Sequence, residues 1–343
     1  MKRKLWLWGG AGGLLLLLSI LVSVMIGTTY VSPIEIIRIF VSKLPYIGDG
    51  MVVDWDVSSE QIMMNVRLPR VILGIFVGAA LSVAGAAFQG VLRNPLADPY
   101  TLGVSSGASV GAAVLIYFGL QFAFLGQWTI PVVAFITGLL SLLLVLQLAQ
   151  VDGKLKKETL ILSGVVMQAF LGAFVSFLVA MSKQVVNEIL FWLMGSLAMR
   201  GWIYTFVIAP YFLIGFLILM GYARSLNLFA LGERQAAYLG VRVERTKFIV
   251  LAVGTLLTAA AVSVAGVIGF VGLIVPHLVR LIVGPDYRLI IPLSALGGGI
   301  YVLLADTLAR TVLSPTEIPL GVVTAFLGAP FFAYLLKKRK RAL

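Results

Sequence analysis

The chain has no cysteine and a single histidine among 343 residues. Without thiols there is no disulfide, thiolate metal site, iron–sulfur cluster or lipoprotein anchor. His277 has no second histidine to share a metal with, which leaves a proton carrier or a polar residue near the cytoplasmic membrane boundary. Charge is also scarce: 12% of residues are charged, and none occurs from Leu5 to Ile34 or from Pro99 to Val151. Proton- and ion-coupled carriers keep carboxylates or histidines near mid-membrane, whereas the fourteen acids here fall between apolar runs or at their ends. No G-x-x-x-x-G-K-[ST] loop is present to cradle a nucleotide phosphate, and no nucleophile stands beside a base. A membrane enzyme and an ion-driven secondary transporter or channel are therefore both disfavoured. Active transport would need ATP to be handled by another polypeptide.

What the chain does have is apolar sequence. Hydrophobic residues make up 60%, with a mean hydropathy of +1.06, so its solvent is lipid. A helix needs about 20 residues to cross the hydrocarbon core. Spans are expected near residues 5–28, 69–91, 101–119, 128–150, 159–181, 202–222, 248–265, 267–283, 289–305 and 319–336. The expectation is an all-α, polytopic membrane protein with ten transmembrane helices, forming one permease domain over 1–343. Both ends are basic, Lys2 to Lys4 and Lys337 to Arg341, and alternating the loops leaves all but seven of the 26 basic residues on the side of the termini. Positive charge marks the cytoplasmic side, so both termini are placed there and the high pI needs no nucleic-acid partner. The basic start of the chain precedes a long run with no small-x-small cleavage site, and is read as a retained first span. Spans two to five and seven to ten then have opposite orientations, which suits an inverted repeat.

Several stretches carry more than anchoring. In GVIGFVGLIVPHLVR, residues 266–280, Gly266, Gly269 and Gly272 are expected to bare one helix face for close packing, and Pro276 removes a backbone donor and favours a kink. Gly103, Gly107 and Gly111 recur every four residues as a packing stripe on the third span. Asn94-Pro95 opens a stiff turn with two prolines in six residues. Arg67 and Arg70 flank Leu68-Pro69 at the outer mouth of the second span, and Pro69 suits a first helical turn. Arg310 follows Asp306 by four residues, one turn apart.

The segment Ala223–Lys247 reads as two short helices: Asn227 as a cap, Gly232 as a break, a second helix from Glu233 to Leu239 and Gly240 as its left-handed end. Leu228, Phe229, Leu231, Ala236, Tyr238 and Leu239 make it too apolar for a solvated loop, which points to a buried partner surface. The acids Asp49, Asp54, Asp56 and Glu60 precede the second span as a solvated outer loop.

The block RLPRVILGIFVGAALSVAGAAFQGVLRNPLADPYTLGVSSGA at 67–108 resembles the signature of the iron-chelate and cobalamin permeases of ABC importers, the FecCD-like, type II family. LNLFALGERQAAYLGV at 226–241, GVIGFVGLIVPHLVRLIVGPDYR at 266–288, ADTLAR at 305–310 and EIPLGVVTAFLGAPFF at 317–332 follow in the same order. The resemblance implies a non-catalytic permease in the bacterial cytoplasmic membrane, paired as a homodimer or a related heterodimer. Two ATPase subunits that use ATP and magnesium would lie below it and a solute-binding protein above. It also implies that Arg67, Arg70 and Arg310 receive acids of the binding protein. Leu226, Asn227, Leu231, Gly232, Ala236, Leu239 and Gly240 would belong to a knob docking in the ATPase, with Asn94 and Pro95 beside the inner gate. With one histidine and no thiol, any metal should travel inside an organic chelate rather than bare. An iron-siderophore is the first expectation, with haem or a corrinoid as alternatives.

Overall fold

The computed structural model describes residues 2–27, 31–43, 46, 55–151 and 154–340. Asp49, Asp54 and Arg341 lie outside them. The fold is helical throughout, apart from a two-residue antiparallel pairing of Gln150–Val151 with Lys154–Leu155. In chain order the helices are α1 (Lys2–Met25), α2 (Pro33–Ser42), α3 (Val57–Ile62), α4 (Leu68–Val91), α5 (Val104–Phe118), α6 (Thr129–Ala149), α7 (Lys157–Met181) and α8 (Val186–Leu193). They continue with α9 (Trp202–Gly221), α10 (Ala223–Phe229), α11 (Glu233–Tyr238), α12 (Val243–Ala265), α13 (Val271–Val283), α14 (Tyr287–Ala309) and α15 (Leu320–Lys340). Seven helical stretches among the described residues are long and apolar enough to cross a membrane, and α5, α13 and α15 are shorter apolar helices. Together they overlap the apolar stretches read from the sequence, seven of them with the length to span.

At the centre stands α4, whose apolar window is 83% buried, against 17% for α1 and 22% for the window in α7. Small residues place it there. A Cβ on Gly78 would collide with the carbonyl of Gly298 in α14, and one on Gly85 with the backbone of Gly272 in α13. Backbones in such contact gain dispersion without the entropy loss of long side chains, the packing mode available when lipid removes the hydrophobic drive between helices. Gly107 and Gly111 similarly meet Ser141 and Thr137 of α6, so that stripe does serve packing. Gly103 lies ahead of α5, in the left-handed region at φ +80°. Peripheral helices instead turn leucine and phenylalanine outward, as at Leu162, Phe170 and Phe177 of α7.

Two expectations about helix boundaries need correction. The chain does not begin a fresh helix at Leu68: α3 runs through a π-helical turn at Met63–Arg67 into α4. In a five-residue π turn the N–H of residue 69 would serve the carbonyl of Met64, but proline has none. The indole Nε1 of Trp202 donates to that carbonyl instead, at 2.9 Å. Nor do Gly266, Gly269 and Gly272 share a helix face. Helix α12 ends at Ala265, Gly266 turns the chain at φ +71°, and α13 starts only at Val271. Of the three glycines, only Gly272 is helical. Local pattern misled because the break is set by contacts distant in sequence, described below.

Candidate functional site: two tethered ends and a broken helix

At one end of the bundle, the last carbonyls of α1 have no following turn to serve. Arg67 Nη1 donates to Val24 O at 2.8 Å and Met25 O at 3.4 Å, while Arg310 Nη2 donates to Ser23 O and, at 2.7 Å, to Ser23 Oγ. Two guanidiniums thus cap a helix C-terminus, where the helix dipole favours cations. Between them Arg70 is shared by two carboxylates. Its Nε and Nη2 donate to Asp306 at 2.9–3.2 Å, and its Nη1 and Nη2 donate to Glu317 at 2.8 and 3.0 Å. Arg310 Nε stands 3.7 Å from Asp306 Oδ2. The hydrogen bonds from Arg70 hold the Glu317 carboxyl below the usual carboxylate range.

The structure therefore brings Arg67, Arg70 and Arg310 together, as the sequence suggested, but does not project them. They are 4%, 9% and 6% exposed, and Glu317 is the accessible member, its side chain 38% exposed. Sequence reasoning missed Glu317 and Ser23. The available signal was an acid two residues before Pro319 in an otherwise apolar stretch.

At the other end, Asn227 does not cap its own helix, since it lies within α10. Its Oδ1 accepts from the backbone N–H of Tyr287, the first residue of α14, at 2.8 Å, and its Nδ2 donates to Asp286 Oδ1 at 2.7 Å. Asn227 thus caps α14 from outside. Hydrogen bonds from Arg288, with help from Asn227, hold the Asp286 carboxyl down at about 2. Gly232 (φ +116°) separates α10 from α11, and Gly240 (φ +86°) has the positive φ expected after α11.

The apolar residues of this segment divide. Leu226, Phe229 and Ala236 are fully buried in the protein's own core, while Leu231, Tyr238 and Leu239 are 59%, 89% and 59% exposed. The sequence reading of one continuous partner surface is thereby narrowed to three side chains. Beside them opens a cavity of about 730 Å³ lined by Arg93, Lys156, Glu158, Glu233, Arg234 and Lys247, with Lys247 paired to Glu233 at 2.7 Å. Asn94, also near Arg93, forms a tight turn by accepting Leu96 N–H on its side chain at 3.0 Å, and Pro95 continues that turn.

Midway lies the break between α12 and α13. Tyr100 clamps it, its hydroxyl donating to Ile268 O at 2.8 Å and accepting from Ile268 N at 3.2 Å. Ser196 N donates to Ala265 O at 2.8 Å, and Leu320 N, at the start of α15, donates to Gly195 O at 3.0 Å. Phe270 sits at φ +69°, a conformation that costs a non-glycine residue about 1–3 kcal/mol and persists only where neighbours impose it. Pro276 acts here too. Its missing N–H frees the carbonyl of Gly272, to which Gln89 Nε2 donates at 3.1 Å. Gln89 was not anticipated, although a lone amide within the apolar α4 was the sign. Asp98, assigned to a loop by its sequence, is only 2% exposed and lies against Gly272, so one carboxylate is packed inside the acid-poor bundle.

No group of three or more metal-ligating side chains occurs among the described residues. The arrangement consists of a salt-bridged end, an apolar knob and a helix interrupted between them. The profile of the FecCD transport family matches residues 15–338, nearly the whole chain. The chain belongs to the FecCD transport family. It is 45% identical over 328 residues to the ABC transporter permease YvrB of Bacillus subtilis, covering 95% of this chain and 92% of the relative. It is also 46% identical over 293 residues to the cobalamin import permease BtuC of Halobacterium salinarum, covering 83% and 76%. Other FecCD relatives are permeases named for hemin, ferric dicitrate and iron hydroxamate. A solved metal-chelate type ABC transporter in an inward-facing conformation superposes with a TM-score of 0.83 at 32% identity, covering 98% of this chain and all of that one. This FecCD protein is a multi-pass membrane permease of the ABC transporter class.

Proposed function

We propose that this permease crosses the bacterial cytoplasmic membrane ten times with both termini inside, and that it carries an iron-siderophore or similar metal chelate inward for a binding-protein-dependent importer. A second permease copy, two ATPase subunits using ATP and magnesium, and an external solute-binding protein complete the assembly. The observation that carries this reading is that both tethered ends are fastened to one rod. Helix α14 begins at the Asn227–Asp286 knot and ends at Asp306 and Arg310, and its 23 residues span roughly 35 Å at about 1.5 Å each. It lies against α4 with their glycines in contact, so the two ends cannot move independently without opening that seam.

On this topology the Arg70 end is outside. Carboxylates of the binding protein would meet a patch of three arginines against two acids, where charge complementarity sets encounter rate and register. Because Arg70 is already occupied, docking exchanges Glu317 for an incoming carboxylate and leaves Asp306 in place. The Asn227 end is inside, where Leu231, Tyr238 and Leu239 dock in the ATPase. The break at 266–270, held by Tyr100 and by the starts of α13 and α15, is the part that can rearrange between states, with Asn94 and Pro95 beside the inner gate. Cargo selection is left to the binding protein, since no group of three or more metal-ligating side chains occurs among the described residues, and relatives named for cobalamin, hemin and ferric dicitrate are 46%, 41% and 37% identical to this chain.

Reconstitution tests the reading. Uptake of a ferric siderophore into proteoliposomes should require enclosed ATP, the ATPase and the binding protein together. Flux through the permease alone without nucleotide would instead support an ATP-independent carrier or channel.

A further inference from the structure

At the same end as Arg70 a second cation is differently placed. Trp202 Nε1 reaches Met64 O and Thr205 Oγ1 reaches Pro69 O at 3.3 Å, which fixes the start of α9 level with the ion-pair cluster. Arg200, just before α9, is half-buried, its guanidinium lying 4.8 Å above the ring of Tyr204 and its Nη1 donating to the Tyr204 hydroxyl at 3.2 Å. It has no carboxylate partner among the described residues, and its Nε is buried without an acceptor. A guanidinium cannot shed its proton, so partial burial without a counter-anion is costly.

Below it the side of the bundle is grooved. Tyr204 packs on Trp128 at 4.7 Å between ring centres, and Trp128 heads an apolar groove of about 330 Å³ between α6, α9 and α12. Pro131, Phe135, Val207, Tyr211 and Val264 line it, and its one aliphatic hydroxyl, on Ser263, is already spent on Ala260 O. From Trp128 to Ile136 the groove follows α6 for about 12 Å, at about 1.5 Å per residue, inward from the headgroup level. Tryptophans 128 and 202 stand where amphipathic rings settle at a membrane surface. A cation lacking an anion at the interface, directly above an apolar channel, matches one ligand chemistry.

We propose that Arg200 and this groove bind a phospholipid, its phosphodiester on the guanidinium and one acyl chain along Phe135 and Tyr211. The phosphate supplies the counter-anion that the accessible part of the guanidinium lacks, and the chain fills space that α6, α9 and α12 leave open. The site then fixes the seam between α9 and α12, and it does not depend on the importer assembly.

The test is native mass spectrometry of the full chain after exchange into detergent with palmitoyl-oleoyl phosphatidylglycerol. Wild type should retain one lipid per chain. Arg200→Gln should weaken retention about fivefold, the weight of roughly 1 kcal/mol for one basic group at an anionic surface. Arg200→Lys should keep most of it. Ala260→Phe, which fills the groove, should lose retention with Arg200 intact. Glycerol phosphate, which has a headgroup but no chains, should not compete. Equal retention by wild type, Arg200→Gln and Ala260→Phe would overturn the proposal. So would displacement by glycerol phosphate, which would mark a free-phosphate site, or lipid loss when two chains pair, which would assign the groove to the second copy.

Discussion

The two ends of α14 are fastened by the same kinds of residue, an aspartate, an arginine and a polar partner from another helix, yet they are built for different uses. Asp306 is 1% exposed and holds two guanidiniums in a sealed cluster, whereas the side chain of Asp286 is 25% exposed and is held by Arg288 and Asn227. A charge buried in a pair becomes a liability once its partner is removed, while an exposed one is returned to water. The sealed end is structural, and on the proposed reading it opens by exchange at Glu317. The exposed end is held lightly, and it carries the apolar residues that lack a partner within the chain.

The sharpest way to break this contrast is to neutralise both aspartates. Asp306→Ala leaves Arg70 and Arg310 buried against insufficient charge and should destabilise by about 3–5 kcal/mol. Detergent-solubilised protein should aggregate in size-exclusion profiles, while Asp286→Ala should remain monodisperse. Overfilling the seam comes next: Gly298→Val, whose first carbon meets Ser82 and the Gly78 backbone, should cost about 1–3 kcal/mol and lower the melting temperature. Asn227→Ala removes two hydrogen bonds at about 1 kcal/mol each, so the melting temperature should fall modestly while ATPase stimulation by the binding protein falls far more.

Smaller still is Glu317→Gln. It should barely change folding but should tighten binding-protein association, because the incoming carboxylate no longer competes with a charged resident; reduced association would contradict the exchange. Acid should have the least effect. Asp286 has its pKa depressed from 3.8 to about 2, so its contribution is complete above 3.8 and disappears only as pH falls through 2. The melting difference between wild type and Asp286→Asn should therefore be flat from neutral pH to 3.8.

The helices were readable in advance because lipid imposes a simple rule of length and polarity, and α1, α6, α7 and α9 follow it within a few residues. The residues that would carry the function were readable as residues but not as contacts. Arg67, Arg70 and Arg310 stand out against an apolar chain, but their burial depends on partners distant in sequence, Val24 for Arg67, Asp306 and Glu317 for Arg70, and Ser23 for Arg310. The same holds for the 266–270 break, decided by Tyr100 and Ser196, and for Gln89, whose role exists only because Pro276 leaves a carbonyl open. In the knob, Ala236 and Tyr238 look alike in one dimension; only the fold shows Ala236 spent on the core and Tyr238 left outside. A charge at Ala236 would therefore test folding, and Tyr238 and Leu239 are the sites that test docking.

The most direct measurement is affinity purification of the tagged chain from its native membrane, beside a Tyr238→Asp, Leu239→Asp variant, with ATP hydrolysis assayed in both. The account predicts an ATP-hydrolysing subunit recovered in equal amount with wild type and lost from the variant, whose melting temperature is unchanged. An ATPase retained by the variant would contradict the assignment of the exposed knob. Wild-type permease that arrives alone and still conducts substrate without ATP would contradict the importer itself.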